Sequence, residues 1–513
     1  MTTPDARARG LGVPGLSNLP GVTGVPGATG LPDLSGLSGL PNAAGAPGAT
    51  GVPGATGLPS STGVPGATGV PGSTAVLPTA PAESALPAAT PTTPGAGALP
   101  QLQPPGFTPE SARQDIPILH RTVNGHPLVW LDNGATTQKP RQVIEALGAY
   151  YGAANSNIHR GAHTMAREAT EMYEAGRSAV AQFLGAGSPD DIVFVRGTTE
   201  AINLVAQSWG RDNLGPGDDI LVAVLEHHSD IVPWQLIAKE TRARVVPIPL
   251  TPEGAIDQDA YADLLSSRTQ LVAVSHASNV LGTVPPVKEM TALAHRYGAK
   301  VLVDGAQAVA HFPVDVQDLD ADFYAFSGHK LFAPTGIGAL YAKPEILRAM
   351  RPWQGGGNMI DSVDFTRTTF APVPHRLEAG TGHISGVVGL LAALNWFTSF
   401  DRNAVAAYES ALMTYAQQAM ATVPGLEVLG SAPERIAVLT FTLAGHDPAG
   451  IAEWLDRDGI AIRAGHHCAQ PALAHYGLES AARASLALYN TSEEVDQLVA
   501  SLRRLQEAPQ TAG

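Results

Sequence analysis

Five short, unbroken apolar runs constrain this chain most: Ile192-Val193-Phe194-Val195, Ile220-Leu221-Val222-Ala223-Val224, Leu271-Val272-Ala273-Val274, Val301-Leu302-Val303 and Phe323-Tyr324-Ala325-Phe326. Runs this short read as strands, and the lack of apolar/polar alternation means that both faces are buried. Amphipathic stretches such as Val287 to His295 lie between them. The pattern predicts an α/β domain with a largely parallel sheet, and in open sheets of that kind ligands collect beyond the carboxyl ends of the strands.

Polar residues follow every run. After the first comes Arg196-Gly197-Thr198-Thr199-Glu200 and then the helical stretch Ala201 to Gln207. Free amides and two hydroxyls at a helix start form a seat for a phosphate. Glu226-His227-His228 follows the second run, Ser275-His276-Ala277-Ser278-Asn279 the third, Asp304-Gly305-Ala306-Gln307 the fourth and Ser327-Gly328-His329-Lys330 the fifth. Taken singly, Thr198 reads as a helix cap, Asp304 as a turn residue and Lys330 as a solvated charge. Taken together, an anion seat, an imidazole, an amide, a carboxylate and a lysine on one sheet edge suit pyridoxal phosphate. That cofactor needs a lysine for its Schiff base, a carboxylate to keep the pyridine nitrogen protonated, and donors for its phosphate.

The chain has one cysteine, Cys468, in His466-His467-Cys468-Ala469-Gln470-Pro471. A single sulfur forms no intramolecular disulfide and does not make a structural zinc site, for which several thiolates or imidazoles are needed; no metal is expected. The bland reading is a small buried hydrophobe. Two flanking imidazoles and the nearby Arg463 favour a reactive thiolate instead.

The N-terminal hundred residues have another texture. Of the 21 positions taken every third residue from Gly12 to Gly72, 17 are glycine, and the register is broken at Asn18, Asp33, Asn42 and Ser60. The register resembles collagen, but one non-glycine at the crowded axis already disrupts a triple helix. Residues 1–106 are therefore expected to be a disordered extension, with triplet repeats over 12–74 and a Pro/Ala/Thr-rich spacer over 75–106. A collagen-like structural assembler is the non-enzymatic alternative. Before Glu110 the only charges are Asp5, Arg7, Arg9, Asp33 and Glu83, three negative against two positive, so the net −15 falls as about −14 on the remainder. An acidic body without a Lys/Arg run excludes a nucleic-acid or anionic-membrane partner. The longest apolar stretch, Val387 to Phe397, is too short to span a bilayer, and the start lacks the charged-then-apolar order of a secretory leader. Cytoplasmic residence is expected.

The order of motifs resembles a known family. Val303-Asp304-Gly305-Ala306-Gln307, Phe326-Ser327-Gly328-His329-Lys330 and Arg463-Ala464-Gly465-His466-His467-Cys468 together are similar to the class II, Suf-type cysteine desulfurases of the fold-type I, aminotransferase-like group. The similarity runs from about Ile116 to Leu505 and includes Leu131-Asp132-Asn133, His159-Arg160-Gly161, Glu226-His227-His228, Trp353-Gln354-Gly355-Gly356-Gly357 and Arg483-Ala484-Ser485-Leu486. The resemblance implies a large cofactor domain over 130–370 and a smaller α+β domain from 107–129 and 371–509. It implies Lys330 as the Schiff-base lysine, Asp304 on the pyridine nitrogen, Gln307 on the ring oxygen and His227 stacked on the ring. Thr198, Thr199, Ser327 and His329 would surround the phosphate, and Asn279 would lie beside the ring. Thr381 would reach the phosphate of a second subunit, so a homodimer is implied. Arg483 would hold the substrate carboxylate, with Arg463, Asn279 and His159 also at the substrate.

The implied reaction takes L-cysteine to L-alanine and leaves a persulfide on Cys468, which a dedicated Suf-type sulfur-acceptor protein would unload. Selenocysteine lyases share the architecture, as do other pyridoxal-phosphate lyases and aminotransferases. The long low-complexity extension is also similar to those that direct some desulfurases into encapsulin shells, which implies residues 1–106 as a shell-binding region and an encapsulin compartment as a location. Two departures from the family pattern stand out: Gly382 where the Glu378-Ala379-Gly380-Thr381 run normally continues with proline, and Gly134 where alanine is usual.

Overall fold

The computed structural model describes residues 106–508; the triplet register over 12–74 and the spacer up to 105 lie outside them. All five apolar runs form strands of one seven-stranded sheet. In chain order its strands are β1 (Ile192–Val195), β2 (Asp219–Ala223), β3 (Arg244–Ile248), β4 (Thr269–Ser275), β5 (Lys300–Asp304), β6 (Phe323–Ser327) and β7 (Gly338–Ala342), arranged β1-β7-β6-β5-β4-β2-β3. The β6-β5-β4-β2-β3 block is parallel, and β7 runs antiparallel between β1 and β6. Both faces of the central strands are buried, as the unbroken apolar runs require.

The runs did not reveal β3 and β7. β3 (Arg-Val-Val-Pro-Ile) sits at the sheet edge, where a proline is tolerated. β7 (Gly-Ala-Leu-Tyr-Ala) carries a glycine and two alanines, a weak strand signal, because it must pass close to its neighbours. A Cβ on Gly338 would come within 2.4 Å of the Phe326 carbonyl oxygen and 2.7 Å of the Gly197 Cα. That close approach seats the 196–199 turn against the sheet.

Helix α1 (Thr164–Leu184) is capped by His163, whose ring accepts the Ala166 N–H, and ends at Gly185 with φ 68°. It packs against α3 (Ile384–Phe397), which is buried on nearly all sides. A second sheet orders Leu426–Val428, Val438–Leu443, Ala481–Ser485 and Arg463–Gly465, all antiparallel, against helices α4 (Arg402–Met420), α5 (Pro448–Arg457) and α7 (Ser492–Glu507). Thr491 and Glu494 close a capping box at the start of α7. The segment Val129–Trp130 pairs in parallel with Ile460–Ala461, and Asp132 bridges to Ser485. No single helix among the described residues is long and apolar enough to cross a membrane.

Candidate active site

Parallel strands place their carboxyl ends on one edge, and that edge meets the second sheet across a cavity of about 510 Å³. Twelve of the fourteen residues expected at the site line it: Thr198, Thr199, His227, Asn279, Asp304, Gln307, Ser327, His329, Lys330, Arg463, Cys468 and Arg483. The volume falls within the range of small-molecule sites.

Thr198 begins α2 (Thr198–Val205); its N–H and hydroxyl both meet the Ser327 hydroxyl, each at 2.9 Å. Asp304, at the end of β5, is 5% exposed, and its Oδ1 accepts the Ala306 N–H at 2.8 Å. Burial raises the Asp304 pKa, while that hydrogen bond and the Lys330 charge oppose the rise. Lys330 follows β6 in a single 3-10 turn. Burial pushes its amine down to about 8; Asp304 resists that shift and Arg483 adds to it. The amine is thus poised near neutrality, as a nucleophilic lysine must be.

The ring of His227 is held in one tautomer. Its Nδ1 accepts the Ser229 N–H at 3.1 Å and faces the Ser229 hydroxyl at 2.7 Å, so the proton resides on Nε2. Burial, then Lys330, lowers its pKa to about 3, leaving a neutral ring. Behind this turn Glu226 is fully buried, takes the Ser275 N–H at 2.7 Å and also bonds the Ser275 hydroxyl. Burial raises its pKa and that of neighbouring Asp230.

The peptide before Lys330 is clamped. The His329 carbonyl meets the Thr137 N–H at 3.1 Å, the Thr136 hydroxyl at 3.0 Å and the Lys139 ammonium at 2.9 Å. Lys139 also donates to the Thr137 carbonyl at 2.6 Å, and burial lowers its pKa to about 7. Residues 136–139 carried no sequence signal of their own, because a carbonyl clamp depends on where the chain returns.

Arg483 is buried and bonds the Asn279 carbonyl at 2.8 Å and Asp132 at 3.2 Å, while its Nε has no protein partner. A buried guanidinium with an open N–H is a receptor for a carboxylate. Arg463 is tied to Asp132 by contacts of 2.8 and 3.1 Å. Asp132 is shared with Arg483, so one carboxylate faces two guanidiniums, and the Arg463 charge still interacts with Cys468, as expected. Gln307 donates to the Gly134 carbonyl at 2.8 Å.

Cys468 lies between the strand Arg463–Gly465 and the short helix α6 (Gln470–His475). His467 and Cys468 have φ of 51° and 54°, a region that costs a residue with a Cβ about 1–3 kcal/mol. Hydrogen bonds offset this at about 0.5–1.5 kcal/mol each. Among them are Asn279 Nδ2 to the His467 carbonyl at 2.7 Å and His467 Nε2 to the Ala481 carbonyl at 2.9 Å.

Two expected residues lie elsewhere. His159 was placed at the substrate, but in this chain it is outside the cavity, bonded to Glu174 at 2.9 Å and edge-on to Tyr173 and His375. It sits at φ 68°. Thr381 lines a separate cavity of about 760 Å³ with Tyr173, Arg196 and Trp353. Its loop is anchored by Glu378, which pairs with Arg177 at 2.6 and 3.0 Å and accepts the Phe194 N–H at 2.7 Å. A Cβ on Gly382 would fall 2.6 Å from the Tyr173 hydroxyl, so that ring fills the space a proline would take.

A half-buried lysine with a desolvated amine, a buried carboxylate at the end of the neighbouring strand, a neutral imidazole and a hydroxyl-lined helix start fit pyridoxal phosphate. The fold is the fold-type I, aminotransferase-like architecture, whose members carry that cofactor. The aminotransferase class-V profile matches residues 129–498, and the chain belongs to that family. A cysteine desulfurase of Synechococcus elongatus is 54% identical over 401 residues, covering 78% of this chain but only 64% of its own length. A cysteine desulfurase of Salmonella agona is 50% identical over 400 residues, covering 78% of this chain and 98% of its own. Among solved structures, the S-sulfonic acid form of the cysteine desulfurase CsdA from Escherichia coli superposes with TM-score 0.73 at 44% identity, over 78% of this chain and 99% of that one. A C-DES mutant with glycine covalently linked to its PLP cofactor has TM-score 0.66 at 25% identity, over 76% and 98%.

Proposed function

We propose that this chain is a cysteine desulfurase that transfers the sulfur of L-cysteine to Cys468. The observation that carries the reading is that the chain's sole thiol lines the same cavity as Lys330, Asp304 and Arg483. Lys330 would hold pyridoxal phosphate, with Asp304, Gln307 and His227 around its ring and Thr198, Thr199, Ser327 and His329 around its phosphate. When bound, the cofactor supplies an electron sink that labilises bonds at the substrate α-carbon.

The chain's own residues supply the rest. Arg483 binds the substrate carboxylate and sets the α-proton towards the Lys330 amine, whose lowered pKa suits it to take and return that proton. The Cys468 thiolate attacks the substrate sulfur; the substrate C–S bond breaks, a proton returns to carbon, and L-alanine leaves. One sulfur atom moves and a persulfide remains, so atoms and electrons balance without an added reductant.

Incubating the holoprotein with L-cysteine is expected to release alanine and to add the mass of one sulfur to Cys468. In Cys468→Ala both should vanish while cofactor absorbance persists; activity that survived would favour another pyridoxal-phosphate lyase, and comparison with selenocysteine tests the lyase alternative. The partners of this reading are a second copy of the chain, which would bring Thr381 to the neighbouring phosphate seat, and a Suf-type acceptor protein. Residues 1–106 are proposed to bind an encapsulin shell, enclosing a cytoplasmic enzyme; failure of a 1–106 fusion to enter a co-expressed shell would count against that.

A further inference from the structure

His228 adjoins the cavity residues and has no part in the chemistry above. Its backbone N–H donates to the Cys468 carbonyl at 2.7 Å, and its Nε2 accepts the Gln470 N–H at 3.2 Å. Its ring lies against that of His466, centroids 5.5 Å apart and planes 27° from parallel. One residue of the turn after β2 therefore grips the sulfur loop on both sides of Ala469.

The loop needs such a grip. Its two left-handed residues, His467 and Cys468, persist only where the surroundings over-determine them. The Cys468 N–H is already turned back onto His466 Nδ1 at 3.0 Å, whereas its carbonyl is satisfied from outside the loop, by His228. Cys468 Sγ and a ring nitrogen of each of His228 and His466 lie within 4.8 Å of one another, so the grip acts next to the sulfur.

We infer that His228 is a positioning residue for the sulfur nucleophile, latching the strained Cys468 loop onto the carboxyl edge of the sheet through its backbone N–H and its Nε2. The latch requires a lone pair on Nε2, and hence a neutral ring with its proton on Nδ1. Protonation turns Nε2 into a donor that faces another donor. The titratable groups around this ring are His466 and Cys468 from the loop and His227 from its own turn. Burial first and His466 second lower the His228 pKa. His228 therefore takes up the proton more readily once the loop is released or the chain unfolded. The latch is fully present above the ordinary imidazole value of about 6.5 and is lost as pH falls below it.

This inference rests on Cys468 being the sulfur acceptor, but its test does not. In the holoenzyme, the sole thiol is alkylated with iodoacetamide in wild type, in His228→Leu, which has similar bulk and no acceptor, and in His228→Gln, whose Oε1 accepts but does not titrate. His228→Leu is expected to alkylate about fivefold faster, the equivalent of one lost hydrogen bond, with unchanged cofactor absorbance and persulfide formation slowed by a similar factor. His228→Gln should stay close to wild type at pH 8. The wild-type to Gln rate ratio should climb as pH drops below about 6.5. A ratio flat from pH 8 to pH 5 overturns the latch, as does a His228→Leu variant that alkylates like wild type. Should His228→Leu fail to fold, the Gln ratio alone decides. If no persulfide forms in wild type, the desulfurase reading fails while the alkylation rates still judge the latch.

Discussion

The two walls of the cavity are built on opposite terms. Asp304 ends β5, buried and paired through the β5–β6 ladder, and Lys330 follows β6 by one short turn whose last peptide carbonyl is clamped from residues 136–139. Cys468 hangs on a turn between a three-residue strand and a six-residue helix, with two residues in the left-handed region and contacts borrowed from distant segments. The carboxylate that must stay fixed ends a strand of the sheet, while the group that must accept an atom and release it sits on a turn held by hydrogen bonds from remote segments.

That contrast can be broken first at the cofactor wall. Lys330→Ala is expected to abolish covalent retention of the cofactor and to cut turnover by about three orders of magnitude or more; borohydride reduction followed by mass spectrometry of the holoprotein checks it. Asp304→Asn should cost about 10²–10³ in turnover. It should also lower the Lys330 pKa further below about 8, because the Asp304 carboxylate is what holds it up. The pH profile of cofactor capture by the apoprotein would then shift to lower pH, and a shift upward would contradict the assignment.

Smaller effects sharpen the comparison. Lys139→Met removes the charged donor from the His329 carbonyl. It is expected to speed cofactor dissociation several-fold, the equivalent of about 1–2 kcal/mol, with iodoacetamide alkylation of Cys468 unchanged. An equal change at both walls would show that they are not independent. Gly134→Ala should be mildest. Its Cβ would stand 3.1–3.3 Å from the Arg483 guanidinium and the Ser485 hydroxyl, tight enough to nudge the carboxylate receptor. KM for L-cysteine is expected to rise about two- to fivefold with kcat little altered.

The cofactor wall was legible in the sequence because each of its residues follows a strand that announces itself, so strand order and side-chain order coincide. Asp304, Lys330, His227 and Thr198 all reached the cavity in this way. His159 did not, because a motif carried over from a family says nothing about which cavity of which subunit it serves. Lys139, Asp132 and His228 were missed as contributors because their partners lie far along the chain: the Lys139 ammonium meets the His329 carbonyl 190 residues away, and His228 accepts from Gln470 across 242 residues. β7 was missed because close packing selects small residues, which carry no strand signature.

The sequence by itself determined the parallel sheet, the edge on which its polar residues gather, the lysine and carboxylate suited to the cofactor, and the single sulfur; all of these follow from local apolar patterning and side-chain chemistry. Only the tertiary structure decided that Arg463 and Arg483 share Asp132, that Arg483 keeps an open N–H, that Thr381 faces a different cavity, and that a second imidazole grips the sulfur loop. Charge pairing, desolvation and the support of a strained turn depend on distances between residues remote in the chain, and those distances exist only once the two sheets have packed.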